Sequence, residues 1–452
     1  MKISKALSKA RDYEHAFAVM DETKPVFHAA APVGWMNDPN GFSVFDNQYH
    51  LFYQYHPYST KWGPMHWGHL TSKDLVQWDV LPCALAPDTP ADEDGCFSGT
   101  AIEHDGKHIL MYTGCNNGKQ VQCIAVGDGA DYVKFSDNPV IDVGAKDFRD
   151  PKLWHDGACF RAAVPYRGND GSGEILEYTS HDLKKWVHAG TMDRSDNRLG
   201  KMWECPDIFT LNDRRVMLIS AQEAEGLKKE LHPGNVSFYL MYDENGQREG
   251  EARAIDYGLD FYAPQTLETS DGRRIMIAWA NNWENYLTPE SFRYSGMMTI
   301  PRELTLRDGR LYQAPIRELD AYLKESSRPN NGRVFDLRIE ARTRDWFAIK
   351  LASDGKRYTE IKYDYVRNTL TVDRTCSGSR KDVLHTRSID VPDRDGEISL
   401  RVLMDKYIME VFVNDGEQVL TNLLYTPLDC DGIELAGAQC SYDIIKYDFV
   451  DS

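Results

Sequence analysis

Three acidic residues in this sequence stand directly before a proline or one residue before it. They are Asp38 in Asp38-Pro39, Asp150 in Asp150-Pro151 and Glu204 in Glu204-Cys205-Pro206. Hydrolysis of a glycosidic bond needs two carboxyl groups, one to protonate the leaving oxygen and one to face the anomeric carbon. A retaining enzyme holds them about 5–5.5 Å apart, and their surroundings keep one protonated and the other ionised. An Asp before Pro is by itself more often a turn former, so the prediction depends on all three acids together.

The stretches that hold these acids belong to a pattern that returns five times between residues 34 and 318. Short segments rich in β-branched and aromatic residues alternate there with Gly, Pro, Asn and Asp, which is typical of strands and turns. The five motifs are Asp38-Pro39, Phe97-Ser98-Gly99, Asp150-Pro151, Glu204-Cys205-Pro206 and Ala263-Pro264. Counted from positions 38, 97, 150, 206 and 264, the gaps between them are 59, 53, 56 and 58 residues. A period of roughly 40 to 50 residues or more indicates four-stranded propeller blades. Five blades would bring their innermost strands, and with them the three acids, to one central channel.

The prolines indicate where these strands begin. Proline lacks an N–H group, so a sheet tolerates it at the first residue of a strand. The residue before it is held in extended geometry. We therefore expect a short strand to start just after each of the five motifs.

A second repeat supports the same arrangement. Ser72-Lys-Asp-Leu-Val-Gln-Trp78 matches Ser180-His-Asp-Leu-Lys-Lys-Trp186, which follows 108 residues later, or about two blade lengths. The alternative is that Asp-Leu-x-x-Trp is a favourable turn into a strand that occurs twice by chance.

The sequence changes character after residue 316. Residues 332–452 alternate between apolar and polar types, as in Val334–Glu340 and Met409–Val413, with turn signals such as Asp415-Gly416 between them. This pattern predicts an antiparallel β-sandwich of about 120 residues. The predicted fold class is all-β, a five-bladed β-propeller followed by a C-terminal antiparallel β-sandwich. The predicted divisions are an N-terminal helical extension over 1–24, the propeller over 25–316, a linker over 317–331 and the sandwich over 332–452.

The charge balance argues against two classes of partner. The chain has 52 basic and 70 acidic residues, which gives a formal net charge of −18. A field of that sign repels phosphate backbones and anionic lipids, so we expect neither nucleic acid nor a membrane as a partner. No run of apolar residues is long enough to predict a transmembrane helix.

The cysteines indicate a reducing compartment. Nine are present, an odd number without C-x-x-C or other metal spacing, at positions 83, 96, 115, 123, 159, 205, 376, 430 and 440. Together with an N-terminus interrupted by charges, which does not resemble a signal peptide, they predict a cytoplasmic protein. His66 and His69 have no third ligand at a suitable spacing, so we expect no metal and no other cofactor.

Three longer stretches resemble, in order, the signature motifs of glycoside hydrolase family 32, the invertases, sucrose-6-phosphate hydrolases, inulinases and levanases. They are Trp35-Met-Asn-Asp-Pro-Asn-Gly41, Phe148-Arg-Asp-Pro151 and Trp203-Glu-Cys-Pro-Asp207. Supporting likeness is found in Phe52–Tyr55, Trp62–Gly68, Cys96–Gly99, Asp260–Gln265 and Val411–Glu417. The resemblance implies a five-bladed propeller with a sandwich, and a retaining reaction through a covalent fructosyl-enzyme.

The matched motifs also imply roles for individual residues. Asp38 would be the nucleophile, Glu204 the general acid/base and Asp150 the transition-state stabiliser that grips fructose hydroxyls. The residues expected to bind the sugar are Asn37, Gln54, Trp62, Phe97, Ser98, Arg149, Tyr262 and Trp279. For Tyr262 and Trp279 the alternative is a plain core position. Cys205 is interpreted as a small packing residue, since the mechanism needs no thiol.

Several interpretations remain open on the sequence alone. The expected substrate is a small sugar: sucrose, sucrose 6-phosphate or a short fructooligosaccharide. Lys61 and Lys201 are candidate partners of a phosphate, but nothing in the sequence ties them to that position. The alternatives are a pentose-glycan hydrolase on a similar propeller and a non-catalytic carbohydrate-binding protein, although the latter would be expected to lack one of the acids. A homo-oligomer is possible.

Overall fold

The computed structural model describes residues 3–227 and 230–450, so residues 1, 2, 451 and 452 of the first and last predicted divisions lie outside the described residues. It begins with a helix, α1 (Lys5–Phe17), which starts after Ser4, whose hydroxyl accepts a hydrogen bond from the Leu7 N–H. Leu7 and Ala10 are buried in the apolar core that α1 shares with the first sheet. No helix in the described ranges is long and apolar enough to cross a membrane.

Five antiparallel sheets of four strands each follow along the chain, and they confirm the predicted five-bladed propeller. Blade 1 consists of β1 (Gly34–Phe45), β2 (Gln48–His56), β3 (His66–Ser72) and β4 (Asp79–Leu85), and blade 2 of β5 (Gly95–His104), β6 (Lys107–Asn116), β7 (Lys119–Gly127) and β8 (Tyr132–Lys134). Blade 3 consists of β9 (Lys152–His155), β10 (Phe160–Arg167), β11 (Gly173–Ser180) and β12 (Val187–Arg194), and blade 4 of β13 (Met202–Leu211), β14 (Arg214–Ala224), β15 (Gly234–Tyr242) and β16 (Arg248–Ala254). Blade 5 consists of β17 (Tyr262–Glu268), β18 (Arg274–Trp279), β20 (Arg302–Arg307) and β21 (Arg310–Pro315).

The ring is closed by a short strand from the last part of the propeller. This strand, β19 (Tyr294–Ser295), pairs in parallel with the start of β1, where Gly34 lies beside Tyr294. The Gly34 N–H donates to the Arg293 carbonyl at 2.8 Å. Because residues of blade 1 thus pair with the segment between β18 and β20, the first and last blades are held together and the innermost strands face one axis.

The innermost strands are bulged at the sequence motifs. Register shifts fall between Met36 and Pro39, between Phe97 and Gly99, between Glu204 and Asp207, and between Tyr262 and Gln265. The prediction that strands start just after the motifs is therefore wrong for these four blades, whose strands begin upstream. It is right only for blade 3, where β9 begins directly after Asp150-Pro151. Pro206 and Pro264 fall inside the register shifts, where the ladder is already interrupted and a missing N–H costs no strand pairing.

The Asp-Leu-x-x-Trp repeat marks the same turn in two blades. It connects the third and fourth strands of blade 1 and again of blade 3, two blades apart as the spacing predicts. In each copy the aspartate, Asp74 or Asp182, accepts two backbone N–H groups of the turn. The following leucine, Leu75 or Leu183, has a left-handed backbone. The sequence echo is thus a shared turn at equivalent positions of two blades, as the repeat predicts.

The C-terminal part forms the predicted β-sandwich. A 3₁₀ helix (Arg317–Tyr322) leads into β22 (Leu323–Glu325), β23 (Val334–Ser353), β24 (Thr359–Asp364), β25 (Thr369–Asp373), β26 (Thr386–Asp390), β27 (Glu397–Asp405), β28 (Ile408–Val413), β29 (Gln418–Leu423) and β30 (Gly432–Phe449). The two long strands β23 and β30 pair along most of their length. The first half of β23 also pairs with β27 and the second half with β24, so one strand belongs to both layers.

A buried ionic network joins the propeller to the sandwich. His28 lies between two sandwich carboxylates, with Nδ1 2.9 Å from Asp405 and Nε2 3.0 Å from Glu410. Arg302 of β20 donates to Glu410 at 2.9 Å and to Asp256 at 3.0 Å. All five side chains are buried. Removing charges from water is costly, so the network is stable only while each charge keeps its partner.

The position of His28 predicts a pH-dependent stability. Burial lowers the pKa of His28, but the two flanking carboxylates outweigh it and raise the pKa to about 9. The stabilisation is fully present below the unfolded pKa of about 6.5 and is lost as the pH rises through the folded pKa. We expect the free energy of unfolding to fall by on the order of 2–3 kcal/mol between about pH 6.5 and pH 9. Urea denaturation at several pH values measures this.

The matched control for this experiment is His28→Gln, which keeps a polar group at the site but cannot titrate. It should be less stable than the native chain near neutral pH and should lack the alkaline loss. An equal alkaline loss in both proteins would show that His28 is not its source.

Candidate active site

A cavity of about 370 Å³ lies where the motif-bearing strands converge. Its lining consists of Asn37, Asp38, Gln54, Trp62, Phe97, Ser98, Gln120, Asp147, Arg149, Asp150, Glu204, Gln222 and Trp283. All three predicted acids are among them, together with six of the eight predicted sugar-binding residues. A larger cavity of about 720 Å³, between α1 and blade 1, contains none of these side chains.

Two predicted residues do not reach the cavity. Tyr262 is buried behind the wall and donates its hydroxyl to Glu204 Oε2 at 2.7 Å. Trp279 is fully buried and packs edge-on against Trp35 and Trp283, with ring centroids 5.8 and 5.0 Å away. Tyr262 and Trp279 therefore occupy the core position that the sequence left as the alternative, behind the lining, and Trp283 lines the cavity on this side.

The Asp38 carboxylate is hydrogen-bonded through one of its two oxygens. It lies in the bulged part of β1, and its Oδ2 accepts hydrogen bonds from Ser98 Oγ at 2.8 Å and from Cys205 Sγ at 3.5 Å. Its Oδ1 is buried and has no hydrogen-bond partner within the described ranges. Burial and the charge of Glu204 raise the pKa of Asp38, while the Ser98 hydroxyl opposes the rise. Ser98 and Cys205 therefore fix the orientation of the Asp38 carboxylate in the lining of the cavity.

Asp150 is fixed by its backbone as well as its side chain. Its φ of 66° is left-handed, and its N–H donates to Thr113 Oγ1 at 2.8 Å. The carboxylate Oδ2 accepts from the Cys205 N–H at 3.2 Å. Burial, followed by the charge of Glu204, raises the pKa of Asp150, and Arg149 counteracts part of that shift.

Both oxygens of Glu204 are occupied by donors. Arg149 donates to Oε1 from Nε at 2.9 Å and from Nη2 at 2.8 Å, and Tyr262 occupies Oε2. The same guanidinium donates from Nη1 to Asp147 at 2.9 Å and to Gln120 at 3.3 Å. Glu204 is therefore held in one orientation, and Arg149 is the cation that faces the three acids.

Cys205 contacts two of the acids. Its thiol lies 3.5 Å from Asp38 Oδ2 and 3.6 Å from Asp150 Oδ2. Burial and the neighbouring carboxylates raise the pKa of Cys205, so the thiol stays protonated and donates. The sequence-based interpretation of Cys205 as a packing residue is thus incomplete, because the thiol also hydrogen-bonds both aspartates.

Four lining residues were not predicted from the sequence: Gln120, Asp147, Gln222 and Trp283. Asp147 directly precedes the Phe148–Pro151 motif, and that position could have suggested it. The other three lie outside the motifs, so no spacing points to them. Within the described ranges no group of three or more His, Cys, Asp or Glu side chains is arranged to hold a metal ion.

Two protein-family models match nearly the whole chain. The glycosyl hydrolases family 32 N-terminal domain matches residues 28–315, and the glycosyl hydrolases family 32 C-terminal domain matches residues 309–448. The boundary between the two matches lies near the end of β21, where the propeller gives way to the sandwich.

Individual relatives resemble the chain over most of their length. A sucrose-6-phosphate hydrolase of Zymomonas mobilis is 35% identical, covering 91% of this chain and 89% of that protein. A raffinose invertase of Escherichia coli is 34% identical, covering 92% of each. The solved structure of a family 32 beta-fructofuranosidase of Bombyx mori superposes with a TM-score of 0.88 at 28% identity, covering 99% of each chain.

The contacts of Asp38 predict the effect of one nearby substitution. Ser98→Ala removes a hydrogen bond to the ionised carboxylate, which favours the protonated form. We expect the pKa of Asp38 to rise by about one unit, since such a bond to a charged group contributes about 1.5–3 kcal/mol. Carbon-13 NMR titration of labelled aspartate carboxyl groups measures the change, with Asp38→Asn identifying the resonance.

The matched control is Ser43→Ala. Ser43 is equally buried, but its hydroxyl contacts Gly41 and His108 rather than an acid of the cavity. In that variant the Asp38 resonance should titrate with the same pKa as in the native protein. An unshifted resonance in Ser98→Ala would contradict the role given to this hydrogen bond.

Proposed function

The chain belongs to glycosyl hydrolase family 32 and is a glycosidase, and we propose that it cleaves the β-fructofuranosyl bond of sucrose, sucrose 6-phosphate or short fructooligosaccharides with retention of configuration. One observation carries the proposal: Asp38, Asp150 and Glu204, all three buried, line a single cavity. The names of the relatives from Zymomonas mobilis and Escherichia coli favour sucrose-derived substrates.

The first half of the reaction forms a covalent intermediate. The Asp38 carboxylate bonds to C2 of the fructosyl unit as the bond from C2 to the leaving oxygen breaks. Glu204, protonated for this step, gives its proton to the leaving oxygen, so the glucosyl alcohol departs neutral. Asp38 suits this role because it lines the cavity and Ser98 and Cys205 fix its orientation through Oδ2.

The second half releases fructose. The Glu204 carboxylate takes a proton from water, whose oxygen bonds to C2 while the bond to Asp38 breaks. Glu204 ends protonated and Asp38 ionised, so the enzyme is restored. Two inversions at C2 give net retention.

Asp150 is assigned to transition-state stabilisation. Its N–H is bonded to Thr113 and its carboxylate to the N–H of Cys205, and it lines the cavity together with Arg149. A carboxylate held in this way can accept hydrogen bonds from ring hydroxyls, which strengthen as positive charge develops on the sugar.

We also propose a cytoplasmic location and a small substrate. All nine cysteines are free thiols, the state that a reducing compartment maintains. A cavity of about 370 Å³ is at the small end of the range for ligand pockets, roughly 300–1,000 Å³. It suits one fructosyl unit, with the leaving group near the rim formed by Trp62, which is half exposed.

A substrate panel tests the proposal. We expect the purified protein to release fructose from sucrose, sucrose 6-phosphate or 1-kestose faster than from inulin, measured by chromatography of the products. A pentose-glycan hydrolase would instead release arabinose or xylose and leave sucrose intact. A carbohydrate-binding protein without catalysis would leave every sugar in the panel unchanged, and either result would overturn the proposal.

Two variants test the assigned roles. Asp38→Asn should lower kcat by several orders of magnitude while the melting temperature changes little, since it removes the nucleophile and keeps the shape. Glu204→Gln should lower turnover of sucrose far more than turnover of an aryl fructoside, whose leaving group needs no proton. Equal losses on both substrates would contradict the acid role of Glu204, and near-normal activity in Asp38→Asn would contradict the nucleophile.

A further inference from the structure

The guanidinium of Arg149 is divided between two carboxylates. One edge, formed by Nε and Nη2, binds Glu204 at 2.9 and 2.8 Å. The remaining nitrogen, Nη1, binds Asp147 at 2.9 Å and the side-chain oxygen of Gln120 at 3.3 Å. Asp147 lines the cavity beside Arg149, and it does not contact Glu204.

This arrangement creates a conflict for the proposed acid. Glu204 accepts two hydrogen bonds from Arg149 and one from Tyr262, and donors of this kind favour the carboxylate form. The first half-reaction needs the opposite form, with a proton on Glu204. The second half-reaction needs the carboxylate again. The hold of Arg149 on Glu204 must therefore be strong enough to orient the side chain and weak enough to let it carry a proton.

We propose that Asp147 is a positioning residue that takes a share of the Arg149 charge and thereby keeps Glu204 able to be protonated. The inference rests on the proposed function, since it concerns how the same reaction is tuned. Asp147 acts through Arg149, to which it is hydrogen-bonded. Its negative charge lies on the other side of the guanidinium and offsets part of the positive charge that acts on Glu204.

The backbone around Asp147 is fixed independently of its side chain. Its carbonyl accepts from the Arg167 N–H at 3.0 Å, and the next N–H, of Phe148, donates to Gln120 at 2.9 Å. The Arg149 N–H donates to the Pro165 carbonyl at 3.2 Å. A change confined to the Asp147 carboxylate, 39% exposed, should therefore leave the loop in place.

The test is the pH profile of kcat/KM for Asp147→Asn, whose upper limb reports the group that must be protonated in the free enzyme. Without the negative charge of Asp147, the guanidinium of Arg149 stabilises the carboxylate form of Glu204 more strongly. We expect the upper limb on sucrose to move down by about one pH unit, so that activity above the limb falls about tenfold. An aryl fructoside, which needs no proton at its leaving oxygen, should lose much less. Asp147→Glu, which restores the charge, should return the limb toward its native position.

Glu223→Gln is the matched control. Glu223 is another half-exposed carboxylate, next to the lining residue Gln222, but it pairs with Lys201 at 3.1 Å and with Arg167 at 3.4 Å rather than with Arg149. Removing it changes net charge by the same amount, and the limb should stay in place. An unmoved limb in Asp147→Asn, or an equal movement in Glu223→Gln, would overturn the inference. A native protein that does not release fructose from any substrate would instead refute the proposed function.

Discussion

Four carboxyl groups, those of Asp38, Asp147, Asp150 and Glu204, line one cavity with the guanidinium of Arg149, and the repulsion among the three buried ones, Asp38, Asp150 and Glu204, is the constraint on which the site depends. Burial removes the water that would screen these charges. Ionising all the carboxyl groups together therefore costs more free energy than it would in water. The pKa values of Asp38 and Asp150 are accordingly raised, and Arg149 holds Glu204. A site in which protons are shared among nearby carboxyls is also what a double displacement requires, since one group must lose a proton as another stays ionised. The same repulsion that opposes folding thus makes the proposed chemistry possible.

Groups that repel one another stay together only on a rigid frame, and the bulged innermost strands provide it. Asp150, Cys205 and Ala263 have left-handed backbones, a conformation that costs a non-glycine residue about 1 kcal/mol or more. The N–H group of each donates to a side chain from the preceding blade, as where the Ala263 N–H donates to Ser220 Oγ at 2.9 Å. A bulge turns side chains away from the regular alternation of a strand. In this fold bulges direct Asp38 and Glu204 into one cavity, whereas Asp150 stands in the segment just before β9.

The sequence predicted the ring better than it predicted the wall of the cavity. Each blade needs a similar length of chain, so the period of the motifs revealed five blades, and a proline beside each acid marked the innermost strands. The rule that proline stands at the first residue of a strand then misplaced the strand starts. That rule assumes uninterrupted pairing between strands, whereas Pro206 and Pro264 lie inside bulges. Gln222 and Trp283 could not be found in this way, since they come from a strand end and a loop whose positions follow no period. Trp279, an aromatic residue at the end of β18, lies behind the lining because tertiary packing, rather than residue type, decides which ring meets the cavity.

Up to residue 450, where the described part of the chain ends, the sandwich contributes no side chain to the lining of the cavity, yet it reaches the proposed acid through one strand. The N–H groups of Thr421 and Leu423 in β29 donate to the carboxylates of Asp256 and Asp260, at 2.9 and 2.8 Å, in the segment that leads into β17. The second residue after Asp260 is Tyr262, whose hydroxyl holds Glu204. Buried carboxylates of this kind must keep their donors, so the segment cannot shift without breaking bonds in the sandwich. The two parts of the molecule are therefore coupled at the point where the orientation of Glu204 is set, and the C-terminal sheet acts on the site by fixing the residue behind it.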